Sequence, residues 1–508
     1  MRALERLTKG FCKNIMEPDM EKNEKKTYDM ISGPLLGKLI AFSLPLALSG
    51  ILQLLFNATD LIVIGQFSET SSESLAAVSS NNALINLIVN VAIGLSVGSN
   101  VVMAQAIGAK EYDKAQRTVH TSVFIAVILG FIIGIVGFFC ARVFLEWMNT
   151  DPVVVDKAEI YLRIYFLGSP ANIVYNFGAA ILRAKGDTKR PLLFLAISGV
   201  LNAGLNMILV IFAKMDVAGV ALATIVAQYV SAVLVITTLL REKDCCRLFI
   251  KKLRIHGAEL KSIIRIGLPS GILSSFFSVA NVIIQTSING FGYKLMAGNS
   301  AGSSLEGFVY TSMNAVSNAA VTFTGQNYGA KKLDRIKKVM WLCSSITIVV
   351  SLVMGGILLG FGNFFASLYS KDPEVISYAV DRMKVILPVY FICGIVEVLV
   401  GGMRGMGYSV SPMIPSFLSV CAYRIIWVYT ICQSIKTPQM LYLSYPISWT
   451  INFLMDVAMF VFVFRKAKKK NEISIAEFAG ETQDENSAKI EIAAYETVVE
   501  EKVENNED

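Results

Sequence analysis

Long stretches of this chain carry no ionisable acid or base, and that limits its possible folds more than any motif does. Residues 39–59, 75–109, 118–141 and 266–293 are free of Asp, Glu, Lys and Arg and rich in aliphatic side chains. A helix rises about 1.5 Å per residue, so roughly 20 such residues cross the hydrocarbon core of a bilayer. Composition agrees. Only 17% of the residues are charged, against about 25% in an ordinary soluble domain, and the mean hydropathy is +0.56. The chain therefore reads as an all-α integral membrane protein with many spans.

The charges fall between the apolar runs, and they alternate. Lys110, Lys114 and Arg117 follow the second run, and Arg183, Lys185, Lys189 and Arg190 follow the fourth. Further basic groups lie at 241–261, at 331–338 and at 465–470, whereas the loop 66–75 holds Glu69 and Glu73 and no base. Basic loops stay in the cytoplasm, which predicts both termini there. Residues 471–508 hold twelve acids and two lysines, a net of −10. The net charge of the whole chain is +7, so residues 1–470 carry +17. That excess belongs to membrane topology rather than to nucleic acid, since no groove-reading motif accompanies it. Two histidines, both beside basic loop residues, and eight scattered cysteines provide neither a metal site nor a disulfide framework. Paired acids, a His–Glu motif or a nucleophile with its base are not found, so no catalysis and no cofactor are expected. Residues 1–30 are polar and the first apolar stretch is too long for a cleavable leader, so the first span is expected to remain in the membrane.

Twelve spans fit the pattern, at about 35–67, 75–107, 118–141, 155–182, 191–213, 217–240, 263–290, 298–328, 337–362, 374–403, 411–434 and 439–465. The chain also repeats itself. QAIGAK at 105–110 returns as QNYGAK at 326–331, RAKGDTKRP at 183–191 returns as RGMGYSVSP at 404–412, and Asp151-Pro152 returns as Asp372-Pro373. All three pairs are offset by 221 residues. Six spans fit in one offset, so the halves share one orientation and are related by an axis along the membrane normal, an arrangement common among transporters. The expected division is a cytoplasmic N-terminal arm at 1–34, an N-lobe at 35–240, a cytoplasmic linker at 241–262, a C-lobe at 263–466 and an acidic cytoplasmic tail at 467–508. The Gln-x-x-Gly-Ala-Lys signature falls at a cytoplasmic helix end, where glycine ends a helix and lysine meets its dipole. The tail has low complexity and is expected to be disordered or weakly helical.

Polar residues inside these runs are the candidates for function. Asp60 lies seven residues before the end of span 1, roughly 10 Å below the outer edge. A charge near a bilayer centre costs at least about 2.5–3.5 kcal/mol, so such residues face a bundle interior or a wet cavity. Asn202 and Asn206 in span 5, Thr224 in span 6 and Asn81 in span 2 reach a similar depth, with Asn57 one turn before Asp60. Carbonyl and hydroxyl oxygens around one carboxylate suit a proton or a sodium ion. In the second half, Glu306 has no partner evident in the sequence, and Glu397 precedes Arg404 by seven residues. Tyr175, Met207, Phe276, Phe277 and Met313 are candidates for an adaptable apolar cavity wall.

These residues carry a family resemblance. PLALSGILQLLFNATDLIVIG in span 1, AQAIGAKE after span 2, ILRAKGDTKRP after span 4, EGFVYTSMNAVSNAAVTFTGQNYGAKK and GGMRGMGYSVSP resemble the multidrug and toxic compound extrusion (MATE) antiporters of bacteria. The likeness covers about 35–465. It implies two six-helix lobes and cation-coupled export, by alternating access, of diverse, often cationic amphipathic molecules, by a monomer in the cell membrane. It further implies that Asp60 binds the coupling cation, H+ or Na+, with Asn202 and Thr224 assisting. Several relatives carry a second acid where this chain has Asn206. A lipid-linked oligosaccharide flippase of the same superfamily is the alternative. Such proteins line their cavity with many bases, whereas the bases within the spans here are chiefly Arg163, Arg382, Lys384 and Arg424.

Overall fold

Apolar runs with no charge to solvate become helices, and the computed structural model follows them. It describes residues 29–67, 71–148, 150, 152–435 and 437–504, with no strand among them. Residues 1–28 of the expected arm, Glu69 and Asp151 lie outside the described residues, as does the Asn82 side chain. The first half contains α1 (Leu35–Phe67), α2 (Ser71–Gly108), α3 (Tyr112–Trp147), α4 (Val155–Leu167), α5 (Ser169–Lys185), α6 (Lys189–Asn206) and α7 (Asp216–Arg241). The second contains α8 (Gly257–Asn289), α9 (Tyr293–Gly329), α10 (Leu333–Gly360), α11 (Gly362–Ser367), α12 (Pro373–Ile386), α13 (Tyr390–Gly405), α14 (Val410–Ser416), α15 (Tyr423–Tyr429), α16 (Ile431–Ser434) and α17 (Pro438–Glu504). The residues up to Met459 form one compact unit and Phe460–Asp508 a second. The acidic tail lies in the second unit and is helical through Glu504, where the sequence leads one to expect disorder or weak helix.

Among the described residues, ten helices are long and apolar enough to cross a membrane. The expected spans 4 and 8 are not among them, for two different reasons. Span 4 is broken into α4 and α5 at Gly168, ahead of Pro170. Span 8 is α9, which is 37 residues long but rich in Ser, Asn and Gly. Span 10 is interrupted by a 3-10 turn at Leu387–Val389 that contains Pro388, so the break recurs one repeat later. Proline removes a backbone donor and crowds the preceding turn, which explains both interruptions. Pro45 and Pro269 instead sit inside continuous α1 and α8.

The 221-residue repeat reappears in backbone geometry. Lys110 and Lys331 both take a left-handed conformation, at φ 60° and 58°. Gly186 and Gly407, in the second repeated motif, do the same at 107° and 88°. Gly186 caps α5, as an αL glycine commonly does. In the first signature, however, it is lysine rather than glycine that takes the left-handed turn, although α2 and α9 do end at Gly108 and Gly329.

Those two glycines are needed for contact between the lobes. A Cβ on Gly108 would lie 2.0 Å from the Gln326 carbonyl oxygen, and one on Gly329 would lie 2.0 Å from that of Gln105. The glutamine side chains complete a reciprocal clasp. Gln105 Nε2 donates to the Gly405 carbonyl at 2.8 Å, and Gln326 Nε2 donates to the Ala184 carbonyl at 2.7 Å. Donors and acceptors are again 221 residues apart. Asn100 adds a bond across the lobes, accepting from Thr322 at 3.1 Å. At the opposite end of the helices the ion pairs stay within a lobe: Lys157 with Glu73 and Asp216 in the first, Lys294 with Asp372 and Glu374 in the second. The lobes are thus joined at the end that bears the basic loops.

Candidate functional site

Asp60 sits two turns before the end of α1 and lines a cavity of about 600 Å3 walled mostly by the first lobe, with Tyr310, Thr311 and Asn314 of α9 completing it. Its carboxylate accepts a hydrogen bond from Asn206 Nδ2, and Thr224 and Asn202 also interact with it. Asn206 Nδ2 lies 3.3 Å from Asn202 Oδ1, and Asn202 Nδ2 donates to Thr224 Oγ1 at 3.3 Å. One acid and three neutral side chains from α1, α6 and α7 therefore form a continuous polar chain. Asn206 is fully buried and its Oδ1 has no partner among the described residues, so one oxygen acceptor remains unused beside the acid. Directly after Asn206 the backbone loosens into a π-helical turn, Met207–Phe212. Such turns recur at functional sites, and nothing in the sequence announces this one. Among the described residues no lysine or arginine pairs with Asp60 or lines its cavity. The other polar lining groups include Gln53, Asn90, Asn172, Gln228 and Asn314, with Tyr161 and Tyr165 beside them.

The remaining first-lobe candidates divide. Asn57 is exposed and lines the same cavity. Asn81 is buried and donates to the Ala77 and Ala158 carbonyls, so it ties α2 to α4 and does not reach the cavity. Tyr175 donates to the Pro191 carbonyl and lines a cavity of about 240 Å3 that adjoins the Asp60 cavity, sharing Gln53, Asn172, Asn176 and Gln228 with it. Met207 is 52% exposed and lines neither large cavity.

The second lobe holds a cavity of similar size, about 570 Å3, with a different wall. Glu306 and Arg382 are both buried there and form a two-pronged ion pair, Nε to Oε1 at 2.9 Å and Nη2 to Oε2 at 2.7 Å. Arg382 Nη1 also donates to Asn299 Oδ1 at 2.7 Å. Glu306 thus has the partner that its sequence neighbours do not provide, because α9 and α12 bring together residues 76 apart. Glu397 lines the same cavity, accepts from Tyr310 Oη at 3.3 Å and feels Arg404. Phe277 lines the cavity, whereas Phe276 packs on Phe417 and Met313 is buried core. The bases divide likewise. Arg163 pairs with Glu159 and Lys384 with Asp381, outside either cavity.

One acid escapes the sequence-based candidates. Asp456, in the last span, is fully buried, and neither carboxylate oxygen has a hydrogen-bond partner. It lies within electrostatic reach of Glu397 and Arg404. Its signal is the one that identifies Asp60, an acid inside an apolar run.

The seven described cysteines are free. Cys245 and Cys246 approach Asp244, whose carboxylate pairs with Lys185 at 2.6 Å. That pair ties the linker to the basic loop after span 4.

Known proteins share this architecture. The MatE family model matches residues 45–208 and 269–430, one segment in each half and together well over half of the chain. A probable multidrug resistance protein of Bacillus subtilis, YoeA, is 24% identical, over 84% of this chain and 93% of its own length. A FAD transporter of Shewanella oneidensis is 24% identical, over 77% of this chain and 86% of its own. A solved outward-facing multidrug resistance MATE family transporter of the MOP superfamily superposes with a TM-score of 0.80 at 20% identity, covering 87% of this chain and 99% of that one. The two matched segments, one per repeat, and the shared helical scaffold make this chain a multi-pass membrane protein of the MatE family of multidrug and toxic compound extrusion transporters.

Proposed function

We propose that the chain is a cation-coupled antiporter that exports amphipathic small molecules, with Asp60 as the coupling site. The observation that carries the reading is an acid at membrane depth with no basic partner, bonded only to neutral oxygens and amides, on the wall of a cavity. A bare charge there is costly, and a proton or a monovalent cation removes the cost. Asp60, Asn202, Thr224 and the unused oxygen of Asn206 provide donors for either ion. Neutralising Asp60 would release the polar chain that it anchors across α1, α6 and α7, allowing those helices to repack. A ligand shifts two states only by its differential affinity, so ion and substrate must favour different states. The basic loops lie on the cytoplasmic side in this reading, and the glutamine clasp closes that side while the cavities open outward. The transporter acts as a monomer, because one chain supplies both lobes, the walls of both cavities and the clasp that joins them. The flippase alternative draws no support from relatives described as multidrug and FAD transporters.

The test is uptake of a fluorescent amphipathic dye into inverted vesicles that contain the protein, under an imposed proton gradient, an imposed sodium gradient or neither. Uptake that requires one gradient and collapses with its ionophore is expected. Equal uptake without any gradient would rule out coupling.

A further inference from the structure

The charges of the second-lobe cavity do not cancel residue by residue. Five charged side chains line it: Glu306, Glu397, Arg382, Arg404 and Arg424. Glu306 is taken by Arg382, and Glu397 lies in the field of Arg404, together with Asp456 behind the wall. Arg424 is left. It is 2% exposed, and among the described residues no carboxylate pairs with it. Its hydrogen bonds go to neutral oxygens, Nε to Ser448 Oγ at 3.0 Å and Nη1 to Asn281 Oδ1 at 3.3 Å. Nη2 makes no hydrogen bond to a described residue. The guanidinium lies 4.3 Å from the centre of the Tyr445 ring, and that of Arg382 lies 5.2 Å from the same centre. Two cations therefore share one aromatic ring, while the one carboxylate beside them, Glu306, pairs with Arg382 alone.

A buried arginine without an acid is costly unless a ligand completes it. Its planar fork matches a carboxylate or another oxyanion better than any other group. Tyr390 and Trp449, stacked at 5.1 Å, offer flat apolar surface on the same wall. Asn281 and Ser448 hold the fork in place, so little freedom remains to be lost on binding.

We infer that Arg424 is the anion-recognising residue of the second-lobe cavity, so that the favoured substrates carry a carboxylate on a flat aromatic body rather than positive charge alone. This assigns a substrate class to the export proposed above and rests on that reading. It also divides the work between the lobes: the acid of the first exchanges an ion, and the arginine of the second holds the cargo.

The test uses two dyes that differ in one group. Rhodamine B has a free carboxylate, and its ethyl ester has none. Binding is measured on purified protein by fluorescence polarisation, and transport in proteoliposomes under the gradient that drives export. The parent is expected to prefer rhodamine B over the ester by about tenfold or more, the range of a charge-assisted hydrogen bond. Arg424→Gln should bring the ratio near one by weakening rhodamine B while leaving the ester unchanged, and Arg424→Lys should keep part of the preference. If Arg424→Gln fails to fold, Asn281→Asp provides the same test by placing a carboxylate against the guanidinium, with the same loss of preference expected. A parent that binds and exports both dyes equally, or a folded Arg424→Gln that retains the preference, would overturn the assignment and leave gradient-driven export standing. A parent that binds and moves neither dye would overturn both.

Discussion

The two lobes share a repeat and border cavities of similar volume, yet the two cavity walls treat buried charge in opposite ways. On the wall of the first, a single carboxylate stands among amides and hydroxyls. On the wall of the second, a bidentate ion pair, a further arginine and Glu397 near Arg404 crowd together, with Asp456 behind them. Internal duplication has kept the landmarks that set backbone geometry, such as Lys110 with Lys331 and Gly186 with Gly407. It has not kept the chemistry in between. In the proposed scheme, closing and opening belong to the shared frame, whereas ion exchange and cargo recognition are divided between the halves.

If that contrast is right, the same kind of substitution should have unequal effects on the two sides. The largest effect on stability is expected from Arg382→Ala, which leaves Glu306 buried and unpaired. Breaking one partner of such a pair costs about 3–5 kcal/mol, so a marked fall in the melting temperature of the purified protein is expected. A fall no larger than that of a surface arginine would show that Glu306 has another partner. Asp60→Asn removes a buried charge without stranding a base. Its effect on stability should stay within about 1 kcal/mol, the scale of one hydrogen bond, and a loss as large as that of Arg382→Ala would erase the contrast. The smallest effect is expected at the shared frame. Gln105→Ala and Gln326→Ala each remove one clasp bond, worth about 1 kcal/mol. Spin labels on the basic loops should show a larger population of the separated form in either variant, by similar amounts because the bonds are symmetric. A strongly unequal response would break the symmetry of the frame.

Much of this was legible in the residues. Uncharged runs predict helices because a bilayer leaves the backbone no other partner, and Asp60 stands out as an exception inside such a run. The offset of the motifs predicts two matching halves. Other features follow from contacts that sequence distance hides. Glu306 meets Arg382 only once α9 lies against α12. The Gln-x-x-Gly-Ala-Lys signature reads as loop geometry, yet its glutamines act on the opposite lobe, which no local rule reveals. The π turn after Asn206 depends on packing and leaves no composition mark. Met313 lies in the core and the half-buried Phe276 packs on Phe417, placements set by which helix face meets a neighbour and not by the residue type.

The central claim is that Asp60 is where the driving ion is exchanged, and it is tested most directly by following the ion itself. Proteoliposomes with the parent and with Asp60→Asn can be loaded with a fluorescent indicator of internal pH, or of sodium, and challenged with dye. Dye-dependent ion movement is expected in the parent and should be absent in Asp60→Asn, although that variant still binds dye. Equal ion movement in the two proteins would contradict the account.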